Sequence, residues 1–203
     1  MPLAEQPGAL TPEAYLEWEK LQEGRHEYVD GQVFAMSGAS LIHATVSLNI
    51  ASLLRNHLRG GPCRAFTADI KARVAAEGPF FYPDVVVTCD ERDRANAYYV
   101  AHPTLIVEVL SPTTAAYDRG QKFASYRRIE TLREYVLVDT ELRSVECFRK
   151  DASGHWVLYP FGPDGEVELE SLGLRCLIDA VYEDTEVPAR AEWIPSKGRT
   201  GGT

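Results

Sequence analysis

Long apolar runs are missing from this 203-residue chain. None approaches the roughly 20 residues that a helix needs to cross a bilayer, so a helical membrane protein is excluded. Cysteine is scarce and scattered: Cys63, Cys89, Cys147 and Cys176 form no C-x-x-C pair. That spacing argues against a zinc site and for reduced thiols in a cytoplasm. Positive charge is also short, with 21 Lys and Arg against 30 Asp and Glu, a formal net charge of −9. Such a balance counts against broad, non-specific nucleic-acid binding. The opening segment Met1-Pro2-Leu3-Ala4-Glu5-Gln6-Pro7 has neither a basic n-region nor an apolar h-region, so no secretory signal is expected. No internal repeat is visible.

What is present is ordinary in amount and uneven in arrangement. The 45% hydrophobic and 25% charged content suits a globular chain able to bury a substantial core. Residues 163–186 carry eight acids against Arg175 alone, whereas Arg119, Lys122, Arg127, Arg128 and Arg133 face only Glu130 in residues 119–133. A second basic stretch holds Arg55, Arg59, Arg64, Lys71 and Arg73 against Asp69. A phosphate backbone can therefore be met locally by an acidic protein, although charge clusters also arise simply as solvated faces.

Local signals give the order of elements. Thr11-Pro12-Glu13 predicts a helix start, with Thr as N-cap and Pro in the first turn, running to about Gly24. Residues 28–36 read as a hairpin around Asp30-Gly31. Ile42, Val46, Ile50, Leu53, Leu54 and Leu58 recur at helical spacing until Gly60-Gly61-Pro62. Ile70, Ala72 and Val74 alternate with Lys71 and Arg73, as in a strand with one wet face. A helix from about Asp118 to Ile129 leads into the apolar strand Tyr135-Val136-Leu137-Val138, which implies a parallel or mixed sheet covered by helices. Two antiparallel strands follow, 144–149 and 156–159, and the residues after about Pro188 read as a disordered tail.

Two carboxylates stand out against this background. Asp84 follows Pro83 and precedes Val85-Val86-Val87, and Glu108 interrupts Leu105-Ile106-Val107 and Val109-Leu110. Both stretches are short, β-branched and bounded by proline or polar clusters, as buried strands are. An ionised carboxylate there is expensive unless paired, and a bound cation is the usual partner. Lys122, in Asp118-Arg119-Gly120-Gln121-Lys122, follows at a distance that lets a helix face the same place.

The ordered set of these motifs resembles the Uma family of endonucleases, which share the restriction-endonuclease-like PD-(D/E)XK fold. The matching residues are Pro83-Asp84, Leu105 to Thr114 around Glu108, Asp118 to Lys122, Tyr126 and Glu134 to Asp139. Upstream, Tyr15-Leu16, His26-Glu27-Tyr28-Val29-Asp30-Gly31 and His43 also fit. The resemblance implies an α/β (α+β) fold: a mixed central sheet flanked by helices, with an αβββαβ core, an N-terminal helix and hairpin, and C-terminal antiparallel strands. It covers most of a single domain spanning 11–187, between a flexible N-terminus at 1–10 and the tail at 188–203. It further implies Mg²⁺ (or Mn²⁺) held by Asp84 and Glu108, a lysine that orients water or stabilises the phosphate, and DNA as the partner, with RNA open. Glu27, at the rim, and His43, near the start of a helix, are further candidate site residues. One departure concerns the lysine: the superfamily pattern Glu-x-Lys would put it at position 110, where this chain has Leu110. Lys122 is the substitute.

Two carboxylates and a metal can supply a nucleophilic water, an electrophilic phosphorus and charge relief on the leaving oxygen. Each residue also has a plainer reading. Asp84 can merely begin a strand, Glu108 can pair with a buried arginine, and Lys122 can pair with Asp118 on an exposed helix face. Glu27 can be an exposed acid beside a hairpin, and His43 a cap or core residue. Tyr98, Tyr99, Tyr117 and Tyr126 can stack on bases or pack. Three function classes follow: a metal-dependent nuclease, a catalytically silent nucleic-acid-binding module on the same fold, and a glycosidase using the two acids. The lysine, and the absence of tryptophan near either acid, disfavour the last. A symmetric homodimer is expected, because cutting both strands needs two sites.

Overall fold

The computed structural model describes residues 8–190. Helix α1 (Pro12–Glu19) begins as expected, with the Thr11 hydroxyl accepting the Ala14 N–H at 3.2 Å. It stops well short of Gly24, because the Gln22 side chain donates to the Trp18 carbonyl and the Glu19 carboxylate accepts the His26 N–H, turning the chain back. Strands β1 (His26–Val29) and β2 (Gln32–Ala35) form the hairpin. Its turn places Asp30 at φ 49° and Gly31 at φ 85°, the left-handed pair that a two-residue loop requires. Helix α2 (Leu41–His57) is capped by Ser40, whose hydroxyl accepts the His43 N–H.

The main sheet contains β3 (Arg64–Thr67), β6 (Val85–Thr88), β8 (Pro103–Val109), β9 (Glu134–Val138), β10 (Val145–Lys150) and β11 (Trp156–Phe161), in the order β11-β10-β9-β8-β6-β3. Within this sheet only the β8–β9 pair is parallel among the described residues. The helix between those two strands supplies the crossover. Taken along the chain, α2, β3, β6, β8, that helix and β9 give the αβββαβ order. A second sheet, β2-β1-β5-β4-β7, adds β4 (Lys71–Arg73), β5 (Phe80–Phe81) and β7 (Tyr99–Val100). A hairpin of β12 (Glu166–Leu169) and β13 (Leu174–Leu177) completes the fold.

Alternation along β8 sorts the core into two layers. Leu105, Val107 and Val109 pack with Val46, Ile50 and Leu54 of α2 on one face. Ile106 and Leu110 pack with Phe123, Tyr126 and Leu137 on the other. Burial of each such side chain stabilises the fold by about 1.5–3 kcal/mol. Glu108 is the one ionisable residue of β8 and lies in this second layer's register.

Three sequence expectations are corrected. Lys71 does not lie on a wet face: it is 6% exposed, with its ammonium 4.9 Å from the centre of the Tyr82 ring. The cysteines are not all free, since Cys63 and Cys89 form a disulfide. They sit opposite one another one step beyond the Arg64↔Thr88 pair of the β3–β6 ladder, so pairing of strands unites cysteines 26 residues apart. Cys147 and Cys176 remain free. The expected hairpin β10–β11 is present, but β12–β13, unforeseen, covers the face it shares with β9 and is tied down by Glu134. That carboxylate is fully buried and accepts from Arg149 Nε at 2.9 Å, from the Glu170 and Ser171 N–H groups at 3.0 Å each, and from the Ser171 hydroxyl. Residues 1–7 and 191–203, and with them most of the expected tail, lie outside the described residues.

Candidate active site

Asp84 lies immediately before β6, and the register Val85↔Val107 extends by one step to set it opposite Glu108. The Asp84 Oδ2 atom accepts the Val109 N–H at 2.8 Å and faces His43 Nε2 at 3.3 Å. The Glu108 Oε1 atom accepts the Tyr126 hydroxyl at 2.9 Å and lies 3.0 Å from Lys122 Nζ. The two strands thus bring to one end of the sheet two acids that are 24 residues apart in sequence.

Lys122 arrives from an interrupted helix. Residues Ala115–Tyr117 are α-helical, Asp118–Lys122 form a π-helical turn, and Phe123–Tyr126 resume the α-helix. A π turn inserts a residue and is frequent at functional sites. Here Asp118 and Lys122 both turn inward and are buried. The Lys122 ammonium reaches Glu108 and Glu27 at 3.0 Å each and Asp118 at 3.6 Å. So Lys122 is a partner of Asp118, but inside the protein rather than on an exposed face. Glu27, delivered by β1, is likewise not an exposed acid; its Oε1 also accepts the Tyr82 N–H at 3.3 Å.

Four carboxylates (Glu27, Asp84, Glu108, Asp118) therefore surround one ammonium and one imidazole. Burial drives the Glu108 carboxyl well above the ordinary carboxylate range; Lys122 opposes this, while Asp84, Asp118 and Glu27 add to it. Asp118 is raised for the same first reason, with Lys122 again opposing. Burial alone pulls Lys122 down, but the fields of Glu108, Glu27 and Asp118 outweigh it and hold the ammonium protonated, above its usual value. His43 is raised by its hydrogen bond to Asp84, against the effect of burial. Its Nδ1 is buried without a hydrogen-bond partner among the described residues.

The structure brings together all five sequence candidates: Asp84, Glu108 and Lys122, with Glu27 on the lysine and His43 on Asp84. Asp118 and Tyr126 join them. Their signal was the spacing of four in Asp118, Lys122 and Tyr126, which places all three on one helix stripe. Tyr126 is fully buried on Glu108 and does not stack on bases from there, and the Tyr135 hydroxyl donates to the Asp118 carbonyl at 3.0 Å, fixing the π turn to β9. Among the described residues, no three His, Cys, Asp or Glu groups form a ready metal cage.

Comparisons with known proteins bear on the family and the fold. In Synechocystis sp., "Uncharacterized protein slr1290" is 40% identical over 173 residues, covering 85% of this chain and 91% of that protein. "Uncharacterized protein sll1609" of the same organism is 33% identical over 162 residues, 78% and 92% of the two chains. A crystal structure described as a putative nuclease belonging to DUF820, from Anabaena variabilis, superposes with a TM-score of 0.69 at 18% identity, covering 85% of this chain and 97% of that one. That likeness shows a shared fold. A family model described as "Putative restriction endonuclease" matches residues 12–180. The chain belongs to this family, Uma2.

Proposed function

We propose that the protein is a metal-dependent endonuclease that hydrolyses DNA phosphodiester bonds at the Asp84–Glu108 end of the sheet. One observation carries the reading: three carboxylates meet a single lysine and a fourth, Asp84, faces His43, which leaves the cleft with excess negative charge. A divalent cation relieves that excess. The donor set suits Mg²⁺ or Mn²⁺, which take one or two carboxylates and otherwise waters and phosphate oxygens, rather than a cage of three protein ligands. Asp84 and Glu108 would hold the ion, with the Val109 carbonyl a further donor. When bound, the cation activates water, polarises the phosphoryl group and relieves charge on the leaving oxygen.

The remaining work falls to the chain's own side chains. Lys122 Nζ, held protonated, is a donor and not a base: it offers positive charge to the phosphate as negative charge builds up in the transition state. Glu27 and Asp118 position that ammonium, and Tyr126 orients Glu108 from the other side. His43 and the Val109 N–H fix Asp84. Lys122 stands 3.0 Å from Glu108, which answers the loss of the strand lysine at Leu110 and favours an active enzyme over a silent binding module.

A symmetric homodimer belongs to the same reading. β11 is an outer strand of the main sheet and exposes Val157, Leu158 and Tyr159, a surface that a second copy can cover. The test of the function is nicking and linearisation of supercoiled plasmid by purified protein. Cleavage with Mg²⁺ that stops with EDTA and with Asp84→Asn is expected. No cleavage with any divalent metal, or equal cleavage by Asp84→Asn, would overturn the reading. Light scattering should give twice the chain mass.

A further inference from the structure

The far end of β8 carries a second feature that this chemistry does not use. A pocket of about 330 Å³ opens there, lined by Arg73, Arg92, His102, Arg128, Glu130 and Thr131. Six residue steps along the strand separate His102 from Glu108, or about 20 Å at roughly 3.3 Å per residue. The pocket is therefore distinct from the acidic cleft. Three guanidinium groups meet there with one lining carboxylate.

Each cation is set in place differently. Arg73 projects from β4 with its guanidinium 4.8 Å from the Tyr99 ring centre and donates to the Tyr99 hydroxyl at 3.4 Å. Arg92 is pinned by Asp90 through Nε at 2.9 Å and a second nitrogen at 2.5 Å. Arg128 follows the interrupted helix and is exposed. Among the described residues neither Arg73 nor Arg128 has a carboxylate in ion-pair contact. His102 is fixed through Nδ1 by Asp93 at 3.0 Å, which leaves its other ring nitrogen available. Asp93 is itself buried and receives the Thr88 hydroxyl and the Ala101 N–H, so the wall carrying His102 is rigid.

Here two unpaired guanidinium groups and one braced one line a single concavity. Planar guanidinium forks match the oxygens of phosphate in both geometry and charge. The volume is at the small end for ligand pockets, enough for a phosphate with a modest group attached. We infer that this pocket binds a phosphate group, carried either by a small phosphate monoester or by a phosphodiester of a nucleic-acid strand. The inference does not depend on the nuclease reading, because binding needs neither turnover nor metal.

The test uses the full chain without divalent metal, titrated by calorimetry with inorganic phosphate and AMP at constant ionic strength. In parallel, duplex DNA affinity is measured at several salt concentrations. Arg73→Gln/Arg128→Gln is compared with wild type and with Arg55→Gln/Arg59→Gln, a charge-matched control at the exposed C-terminal end of α2. Saturable phosphate or AMP binding that weakens about 10- to 100-fold in the double variant assigns a free monoester. Absent that, a loss of DNA affinity beyond the control, with the salt slope reduced by about 1.8, assigns a strand phosphodiester. If the double variant does not melt cooperatively near the wild-type temperature, Arg128→Glu, at an exposed position, decides in its place. Binding that persists in the variant, or no binding of phosphate together with DNA affinity equal to the control, overturns the inference. Absence of cleavage alone would sink the nuclease reading and leave this one standing.

Discussion

Replacing Lys122 by methionine keeps most of the side-chain volume and removes only the charge and its hydrogen bonds. The structure sets the size of the effect. The side chain is 7% exposed and its ammonium touches Glu27 and Glu108 at 3.0 Å and Asp118 at 3.6 Å, so three acids lose their counter-charge together. Breaking a buried pair from one side costs about 3–5 kcal/mol. Proton uptake by Glu108 and Asp118 limits that cost, since burial already raises both and loss of the lysine raises them further. A loss of about 3 kcal/mol is expected at pH 8, shrinking as the pH falls and these two groups take up protons. Thermal melts across pH read it directly as about 6–12 °C at the alkaline end. Single-turnover plasmid cleavage in saturating Mg²⁺ should fall about 10²- to 10³-fold, the range for losing a transition-state hydrogen-bond donor. Metal binding should persist. A folded Lys122→Met protein that cleaves at the wild-type rate would refute the role given to this ammonium.

Other outcomes follow from the same geometry. Glu108→Gln should be more stable than wild type at pH 8 without metal, because a carboxyl raised in the folded state destabilises it when ionised; the difference should shrink once the pH falls below the raised folded value and vanish below the ordinary carboxylate range, and equal melting temperatures throughout would contradict it. The variant should also lose the stabilisation that Mg²⁺ gives the wild type. Glu134→Ala strips Arg149, Ser171 and two backbone N–H groups of their acceptor, so it should cost about 3–5 kcal/mol and raise hydrogen exchange first in β12–β13; unchanged exchange there would deny Glu134 its clamping role. Thiol titration of denatured, unreduced protein should find two reactive cysteines, Cys147 and Cys176, and four would deny the Cys63–Cys89 bond.

Much of this was legible in the sequence because it rested on local rules. The Thr11-Pro12 cap, the Asp30-Gly31 turn, the α2 stripe and a glutamate in the middle of an apolar strand each announce themselves within a few residues. Asp84, Glu108 and Lys122 were identifiable for the same reason: each breaks a local pattern. What escaped depends on partners distant in sequence. The disulfide appears only once the β3–β6 register is set. Lys71 reads as wet by alternation, yet the second sheet folds Tyr82 over it. Glu27 looks like an exposed hairpin acid until β1 pairs with β5 and carries it to Lys122. Asp118 reads in the sequence only as a helix-opening acid four residues before Lys122, because the π turn that points both inward leaves no mark in composition or period.

The central claim is that one divalent cation sits between Asp84 and Glu108. Anomalous diffraction from crystals soaked in Mn²⁺ tests it most directly. A single strong peak is expected within bonding distance of one oxygen from each carboxylate, lost in Asp84→Asn. A peak at other residues, or none at a concentration that supports cleavage, would contradict it.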